Sequence, residues 1–180
     1  MKNDSAKKGK LIWLTGLSGC GKTTIAKELL EKLNKNGHWI LVDGDEIREL
    51  FGSDLGHDLN DRKANAYRIS KICQWLAGQG ADIICATMSL FHEIHEWNRK
   101  NIPNYYEVYI RVPFEILEKR HPQNLYALAK AGKMKGVIGV DLPFEEPLHP
   151  NLVLDNIKSA DSLAATVNSL YEELRKENYA

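Results

Sequence analysis

The chain has 180 residues, with 24 lysines and arginines against 24 aspartates and glutamates. This length favours one domain with room for a substantial core and leaves little room for an appended module. The balanced charge excludes a global electrostatic attraction to nucleic acid or to an anionic membrane, and no apolar stretch approaches the ~20 residues of a membrane span.

Residues 1–9 are polar and charged, and they lack the apolar segment of a secretory signal, so we expect a disordered lead-in. From residue 10 to residue 180, apolar strand candidates alternate with amphipathic helix candidates. The predicted strands are Leu11 to Thr15, His38 to Val42, Asp82 to Thr87, Tyr105 to Val112 and Asn151 to Leu154. The predicted helices are Lys22 to Asn34, Asp61 to Gln79, Phe91 to Asn101, Phe114 to Lys119 and Ala160 to Glu177.

This alternation predicts an α/β fold with a three-layer, doubly wound parallel sheet. Ligands of such folds bind beyond the carboxyl ends of the strands. We therefore expect the loops after the first, second and third strands to converge on one cleft.

The loop after the first strand reads Gly16-Leu17-Ser18-Gly19-Cys20-Gly21-Lys22-Thr23 and satisfies every fixed position of the P-loop pattern. In such a loop, backbone N–H groups curl around phosphate oxygens, the lysine reaches the β- and γ-phosphates, and the threonine hydroxyl binds Mg²⁺. The strand, loop and helix order is the context that this motif requires. The predicted nucleotide site consists of Gly16, Ser18, Gly19, Cys20, Gly21, Lys22, Thr23 and Thr24.

Two carboxylates and a guanidinium follow the second strand, at Asp43, Asp45 and Arg48. Carboxylates beside a P-loop can hold Mg²⁺ through water and accept a proton from an attacking hydroxyl, while an arginine can grip an anionic acceptor. The alternative is an ordinary helix N-terminus with Asp45 as its N-cap. Because this segment and the P-loop share one edge of the sheet, we predict a functional role.

Two further segments carry candidate binding residues. Arg62 and Asn65 share one face of the second predicted helix. The stretch from Pro122 to Gly139 has weak periodicity with several lysines and glycines. It predicts a mobile flap, at about residues 120–139, that carries Arg120 over the nucleotide.

The ordered set of motifs resembles the adenylylsulfate (APS) kinase family over about residues 10 to 175. Besides the P-loop, the resemblance rests on Asp43 to Arg48, Asp54-Leu55-Gly56, Asp61-Arg62 with Asn65, Leu125-Tyr126, and Gly139 to Glu145. The resemblance implies a P-loop kinase that transfers the γ-phosphoryl group of ATP to the ribose 3′-hydroxyl of adenosine 5′-phosphosulfate (APS). It also implies a requirement for Mg²⁺, a role in sulfate activation and a homodimer.

Roles follow from the resemblance residue by residue. It implies that Asp43 and Asp45 serve the metal and the acceptor hydroxyl. We predict that Lys22, Asp43, Asp45 and Arg120 are catalytic, with Lys22 and Arg120 offsetting charge on the migrating phosphoryl group, and that Thr23 and Asp43 serve the metal. The implied acceptor residues are Asp45, Arg48, His57, Arg62, Asn65, Met88, Ser89, Leu125, Tyr126 and Phe144. Ser89 follows a strand end, where serine more often supplies a hydrogen bond than a covalent phosphoryl intermediate.

The departures from the family pattern fall on the acceptor side. A Phe becomes His57, paired arginines become Tyr67-Arg68, Phe-Ile-Ser-Pro becomes Thr87 to Leu90, Lys-Gly becomes Gln123-Asn124, and an acid becomes His121. A lost cation and a lost aromatic face can each cost about 1 to 3 kcal/mol in binding. The donor motifs are intact, so the sequence predicts the reaction type and leaves the acceptor open.

Three hypotheses about the function follow. APS is the commoner acceptor of the family. Some relatives, associated with capsule sugar modification, instead phosphorylate cytidine diphosphoramidate. The third hypothesis is a non-catalytic ATP sensor, in which ATP moves the flap. Asp45 and Arg48 argue against it, because ATP binding alone needs neither residue.

Three unpaired cysteines predict a reducing, cytoplasmic setting. The expected partner is a nucleotide acceptor, and we expect the chain to bind neither nucleic acid nor a membrane.

Overall fold

The computed structural model describes residues 8–121, 123–156 and 162–180. Residues 1–7 of the predicted lead-in, Pro122 of the predicted flap and Ala160 at the predicted start of the last helix lie outside these ranges. The described strands are β1 (Leu11–Thr15), β2 (Trp39–Asp43), β3 (Asp82–Thr87), β4 (Tyr105–Arg111) and β5 (Leu152–Asp155). The described α-helices are α1 (Lys22–Leu33), α2 (Gly44–Leu50), α3 (Leu59–Gly78), α4 (His92–Asn101), α5 (Phe114–Arg120), α6 (Leu125–Lys130) and α7 (Leu163–Lys176), with a 3₁₀ turn at Gly52–Asp54.

The five strands form one parallel sheet in the order β2-β3-β1-β4-β5. The crossover from β1 to β2 and the crossover from β2 to β3 run in opposite directions, and right-handed connections therefore put α1 and α3 on opposite faces of the sheet. Helix α7 packs beside α1, and α4 packs beside α3. The predicted three-layer, doubly wound P-loop kinase architecture is confirmed.

The central strand β1 explains why the chain folds in this way. Every residue of Leu11-Ile12-Trp13-Leu14-Thr15 is buried, because helices cover both faces of a parallel sheet. The register pairs Thr15 with Thr87 and Asp43 with Ala86. The ends of β1, β2 and β3 therefore lie side by side, and the loops that follow them begin at one edge.

The predicted strand ends agree with the structure to within one residue, whereas two short helices were missed. Helix α2 follows β2 directly, with Asp43 as its N-cap: the carboxylate accepts a hydrogen bond from the backbone N–H of Asp45 at 2.9 Å. The alternative of Asp45 as the N-cap is therefore wrong. Helix α6 lies inside the predicted flap, where Tyr126 is wholly buried. Both helices are too short to show a clear apolar period.

An ion pair between the exposed Arg99 on α4 and the buried carboxylate of Glu107 on β4 leads to a prediction about stability. Glu107 on β4 is wholly buried, and its carboxylate lies 2.8 Å from the Arg99 guanidinium and 3.2 Å from His95 Nδ1. Arg99→Met leaves this buried carboxylate with less compensation, so we expect a loss of about 2 kcal/mol of unfolding free energy and a Tm lower by roughly 4–8 °C. The control, Arg175→Met, breaks an exposed pair with Glu172 and should change stability by less than about 0.5 kcal/mol. Equal Tm values for the two variants in thermal melts would contradict the prediction.

Candidate active site

The P-loop connects β1 to α1 and forms the floor of the site. Gly19 (φ 78°) and Gly21 (φ 96°) adopt left-handed conformations that glycine reaches without strain. A Cβ atom at Gly21 would lie 2.8 Å from the Asn156 side chain, so the space beside the loop also requires glycine there. This backbone presents its N–H groups at the start of α1, where the helix dipole favours an anion.

The Lys22 side chain folds back over its own loop. Its ammonium group donates hydrogen bonds to the carbonyl oxygens of Gly16 and Leu17, both at 3.0 Å. Cys20, two residues before Lys22, is buried, and its sulfur lies 3.8 Å from the ammonium group. The positive charge of Lys22 is thereby held above the loop, next to the N–H groups that would surround a phosphate.

An oxygen cluster lies at the junction of α1, β2 and α2. The Thr23 hydroxyl donates to one carboxylate oxygen of Asp43 at 2.7 Å, while the other oxygen of Asp43 caps α2. Asp43 is buried and Asp45 is exposed. Gly44 lets the start of α2 lie close to the end of β3, because a Cβ atom at this position would lie 2.5 Å from the Thr87 hydroxyl.

A cleft of about 380 Å³ opens above these groups at the carboxyl edge of the sheet. The loops after β1, β2 and β3 and the end of α5 line it. Those of its lining residues that the sequence singled out for the site are Ser18, Gly19, Gly21, Lys22, Thr23, Thr24, Asp43, Asp45, Met88 and Arg120. The structure thus brings six of the eight predicted nucleotide-site residues together with Asp45 and Met88 of the predicted acceptor side, while Gly16 and Cys20 are buried and do not line the cleft.

Arg48 lies on α2 and binds the loop that precedes α3. Its Nη1 donates to the carbonyl oxygens of Leu55 and Gly56, at 3.1 and 2.8 Å. Within the described residues, these bonds leave the N–H groups of Nε and Nη2 available to an anion. The loop contacts therefore fix the position of Arg48 without using its whole guanidinium group.

Arg62 joins the same loop to the predicted flap. Its Nε donates to the His57 carbonyl at 2.9 Å, and its Nη2 donates to the Gly136 carbonyl at 2.8 Å. Burial lowers the pKa of Arg62 first and the charge of Arg48 lowers it second, while Asp141 and Asp45 act in the opposite direction. Asp45, Arg48 and Arg62 therefore lie within electrostatic reach of one another, and an anion between the two cations would relieve their repulsion.

Asn65 lies one helical turn beyond Arg62 on α3. It is buried, and its side-chain oxygen has no hydrogen-bond partner among the described residues. A buried polar atom of this kind is costly unless something pairs with it. Asn65 therefore fits the role of holding a polar group of a bound acceptor.

Several predicted acceptor residues lie away from the cleft wall. Ser89 is wholly buried, with its hydroxyl unpaired within the described chain. Tyr126 is also wholly buried, and its hydroxyl donates to the Ser18 carbonyl at 2.7 Å. Leu125 is half-buried beside it, while Phe144 lies in a separate groove with Leu17 and Phe114. In this conformation Tyr126 supports the P-loop rather than contacting the cleft.

Sequence reasoning assigned no role to Asn156 or to His121. The side-chain amide of Asn156 donates to the Cys20 carbonyl at 2.9 Å, and the backbone carbonyl of Asn156 accepts from Arg120 at 2.7 Å. His121 lines the cleft and lies 3.0 Å from the Ser18 hydroxyl. The sequence could have indicated a role for Asn156, since this residue directly follows the last strand, at the edge of the sheet where ligands bind.

Comparison with known proteins gives consistent results. The profile of the family described as adenylylsulphate kinase matches residues 8–155. The cytidine diphosphoramidate kinase of Campylobacter jejuni is 42% identical over 147 residues, which is 81% of this chain and 85% of that protein. The adenylyl-sulfate kinase of Marinobacter nauticus is 39% identical over 176 residues, 93% of this chain and 87% of that protein. The structure of the APS kinase CysC of Mycobacterium tuberculosis in complex with AMPPNP and APS has a TM-score of 0.79 and 34% identity, and covers 92% of this chain and 98% of that one.

Proposed function

The chain belongs to the adenylylsulphate kinase family and is an ATP-dependent phosphotransferase, and from this premise we propose that it phosphorylates the ribose 3′-hydroxyl of APS. The product would be 3′-phosphoadenosine 5′-phosphosulfate. The observation that carries the proposal is the position of Asp45, which lines the cleft with Lys22 and lies within electrostatic reach of Arg62. A carboxylate in that place is available to the acceptor hydroxyl and has no role in holding the donor.

The donor phosphates would bind to the P-loop N–H groups at the start of α1. Lys22 would then exchange the carbonyl oxygens of Gly16 and Leu17 for phosphate oxygens. Arg120 lines the same cleft and would offset charge on the migrating phosphoryl group together with Lys22. These contacts position the donor and neutralise its charge, which is most of what phosphoryl transfer requires.

The residues around Thr23 fit a magnesium ion. The Thr23 hydroxyl and the Asp43 carboxylate offer hard oxygen ligands within 2.7 Å of each other. Mg²⁺ commonly binds through one or two protein oxygens and the substrate phosphates, so two such oxygens suffice. When bound, Mg²⁺ would neutralise phosphate charge, with Thr23 as a ligand and Asp43 acting through water.

The acceptor would approach from the side of α2 and α3. Arg48 and Arg62 would hold its anionic group, and Asn65 would pair with a polar group of the nucleotide. Asp45 would orient the 3′-hydroxyl and accept its proton while the oxygen attacks the γ-phosphorus in line with the leaving ADP. His57, Met88, Ser89, Leu125 and Phe144 stay predicted acceptor residues, and Tyr126 is proposed to act through Ser18.

Cytidine diphosphoramidate is the second candidate acceptor, and two observations favour it. The relative of that name in Campylobacter jejuni shares 42% identity with this chain. The departures at His57 and Tyr67 and the segment from Thr87 to Leu90 fall on the acceptor side, where they would change base and anion recognition. Tyr67 in particular packs edge-on against Trp97, with ring centroids 6.2 Å apart, and supplies no charge.

An acceptor competition tests the proposal. ADP release from Mg·ATP is measured with APS and cytidine diphosphoramidate offered separately at matched concentrations, and we expect at least about tenfold higher kcat/KM with APS. The opposite preference would assign the cytidine compound as substrate and make the acceptor-side departures specificity determinants. Nucleotide binding without ADP release above the acceptor-free rate for either compound would favour the ATP sensor.

The biological setting follows from the acceptor. APS as substrate would place the protein in sulfate activation, and the cytidine compound would place it in capsule modification. We further propose a homodimer, as the sequence resemblance implies, and a cytoplasmic location, as the unpaired cysteines indicate. In the described part of the chain, none of the helices combines the length and apolarity needed to cross a membrane.

A further inference from the structure

His121 lies beside the P-loop, and the proposed mechanism does not use it. It follows α5, lines the cleft and places its Nε2 3.0 Å from the Ser18 hydroxyl oxygen. Its ring also stands edge-on to Tyr126, with centroids 5.7 Å apart, and packs against Gly19. The ring is therefore held by contacts on several sides, and its two nitrogens have fixed partners.

The hydrogen bonds determine which nitrogen carries the proton. The backbone N–H of Gln123 donates to Nδ1 at 3.4 Å, so Nδ1 bears a lone pair. A neutral imidazole then has its proton on Nε2, and this N–H donates to the Ser18 oxygen. The Ser18 hydroxyl has no other hydrogen-bond partner within the described residues, so its own proton is left for a group in the cleft.

The surroundings favour this neutral form. Burial lowers the pKa of His121 first, and the positive charge of Lys22 lowers it second. Arg120 adds a further cation to the cleft wall. A protonated ring would also place an N–H group at Nδ1 against the N–H of Gln123. The orientation of the Ser18 hydroxyl therefore holds at neutral pH.

We infer that His121 is a positioning residue that turns the Ser18 hydroxyl into a hydrogen-bond donor to a phosphate oxygen of the donor nucleotide. Ser18 is fixed at two points, since its carbonyl accepts from Tyr126 and its hydroxyl oxygen accepts from His121. The hydroxyl proton then adds a side-chain donor to the backbone N–H groups of the loop. The inference rests on the proposed donor site but is independent of the acceptor.

Calorimetric titration with Mg·AMPPNP, without acceptor, tests this inference. We expect His121→Ala and Ser18→Ala each to weaken binding about tenfold, the loss of one hydrogen bond to a charged group. The double variant should bind no more weakly than Ser18→Ala, because His121 acts through that hydroxyl. His121→Gln, whose amide N–H can replace Nε2–H, should bind within about threefold of the parent protein. With a working acceptor, the two alanine variants should raise KM for ATP and change kcat by less than about threefold.

Two results would overturn the inference: losses in the double variant that multiply to about a hundredfold, or a Gln variant as weak as the Ala variant. Melting curves for each variant show whether the fold is kept, and the Gln variant retains a side chain in the space if the Ala variant unfolds. Failure to phosphorylate either acceptor, with nucleotide binding intact, would contradict the proposed function and leave this inference standing. Absence of AMPPNP binding by the parent protein would overturn both.

Discussion

Lys22→Ala should reduce phosphoryl transfer by about 10³-fold or more in kcat/KM, with the fold retained. The ammonium group lies over the loop at 3.0 Å from the Gly16 and Leu17 carbonyl oxygens, where the donor phosphates would bind. Removal of a charged donor aimed at a transferring phosphoryl group costs transition-state stabilisation that water does not replace. Gly16 and Leu17 are buried and do not line the cleft, so their two carbonyl oxygens lose a charged hydrogen-bond donor and Tm should fall by several degrees while the fold is kept.

The matched control for this variant is Lys27→Ala. Lys27 lies on the exposed face of the same helix, within two turns of Lys22, and takes no part in the cleft. Steady-state ADP release for both variants, with AMPPNP titrations alongside, separates loss of donor binding from loss of turnover. If the Lys22→Ala enzyme retains more than about a tenth of the parent activity, the result would contradict the assignment of the donor site.

Asp45→Asn should lower kcat by about 10²–10⁴-fold and leave KM for ATP almost unchanged. The substitution keeps the side-chain volume, and it keeps the backbone N–H that donates to Asp43 at 2.9 Å, so α2 retains its cap. It removes the carboxylate that would accept the proton of the 3′-hydroxyl. Asp45 is exposed in the cleft and does not pair with the P-loop in this structure, so the affinity for the donor nucleotide should be unaffected by the substitution.

Glu46→Gln is the control for Asp45→Asn. Glu46 is the adjacent exposed acid in the first turn of α2, so it reports the effect of losing one negative charge at the helix N-terminus. Activity of this control should stay within about twofold of the parent enzyme. If both variants lose activity equally, the effect belongs to the helix terminus and Asp45 has no specific catalytic role.

The donor side of the site could be predicted from the sequence, because its residues are consecutive. A P-loop needs glycines, a lysine and a threonine at fixed spacing, and the local backbone then places all of them around one phosphate. The second cluster could also be predicted, since Asp43 and Asp45 come at the carboxyl end of a strand, which is the edge of a doubly wound sheet where ligands bind. The short helices α2 and α6 could not be predicted, because each is only about two turns long. Helices of this length depend on tertiary contacts for their stability, such as the burial of Tyr126.

The sequence by itself determined the parallel sheet, the family and the position of the P-loop, since apolar periodicity and contiguous motifs express these locally. Only the tertiary structure decided what supports the P-loop from outside. His121, Tyr126 and Asn156 bind loop residues that lie 103, 108 and 136 positions away in the chain. The tertiary structure also turned Tyr126 away from the cleft and buried Ser89, which motif matching had grouped with the acceptor. The physical reason is that side-chain direction depends on how distant segments pack, and spacing along the chain carries no information about that packing.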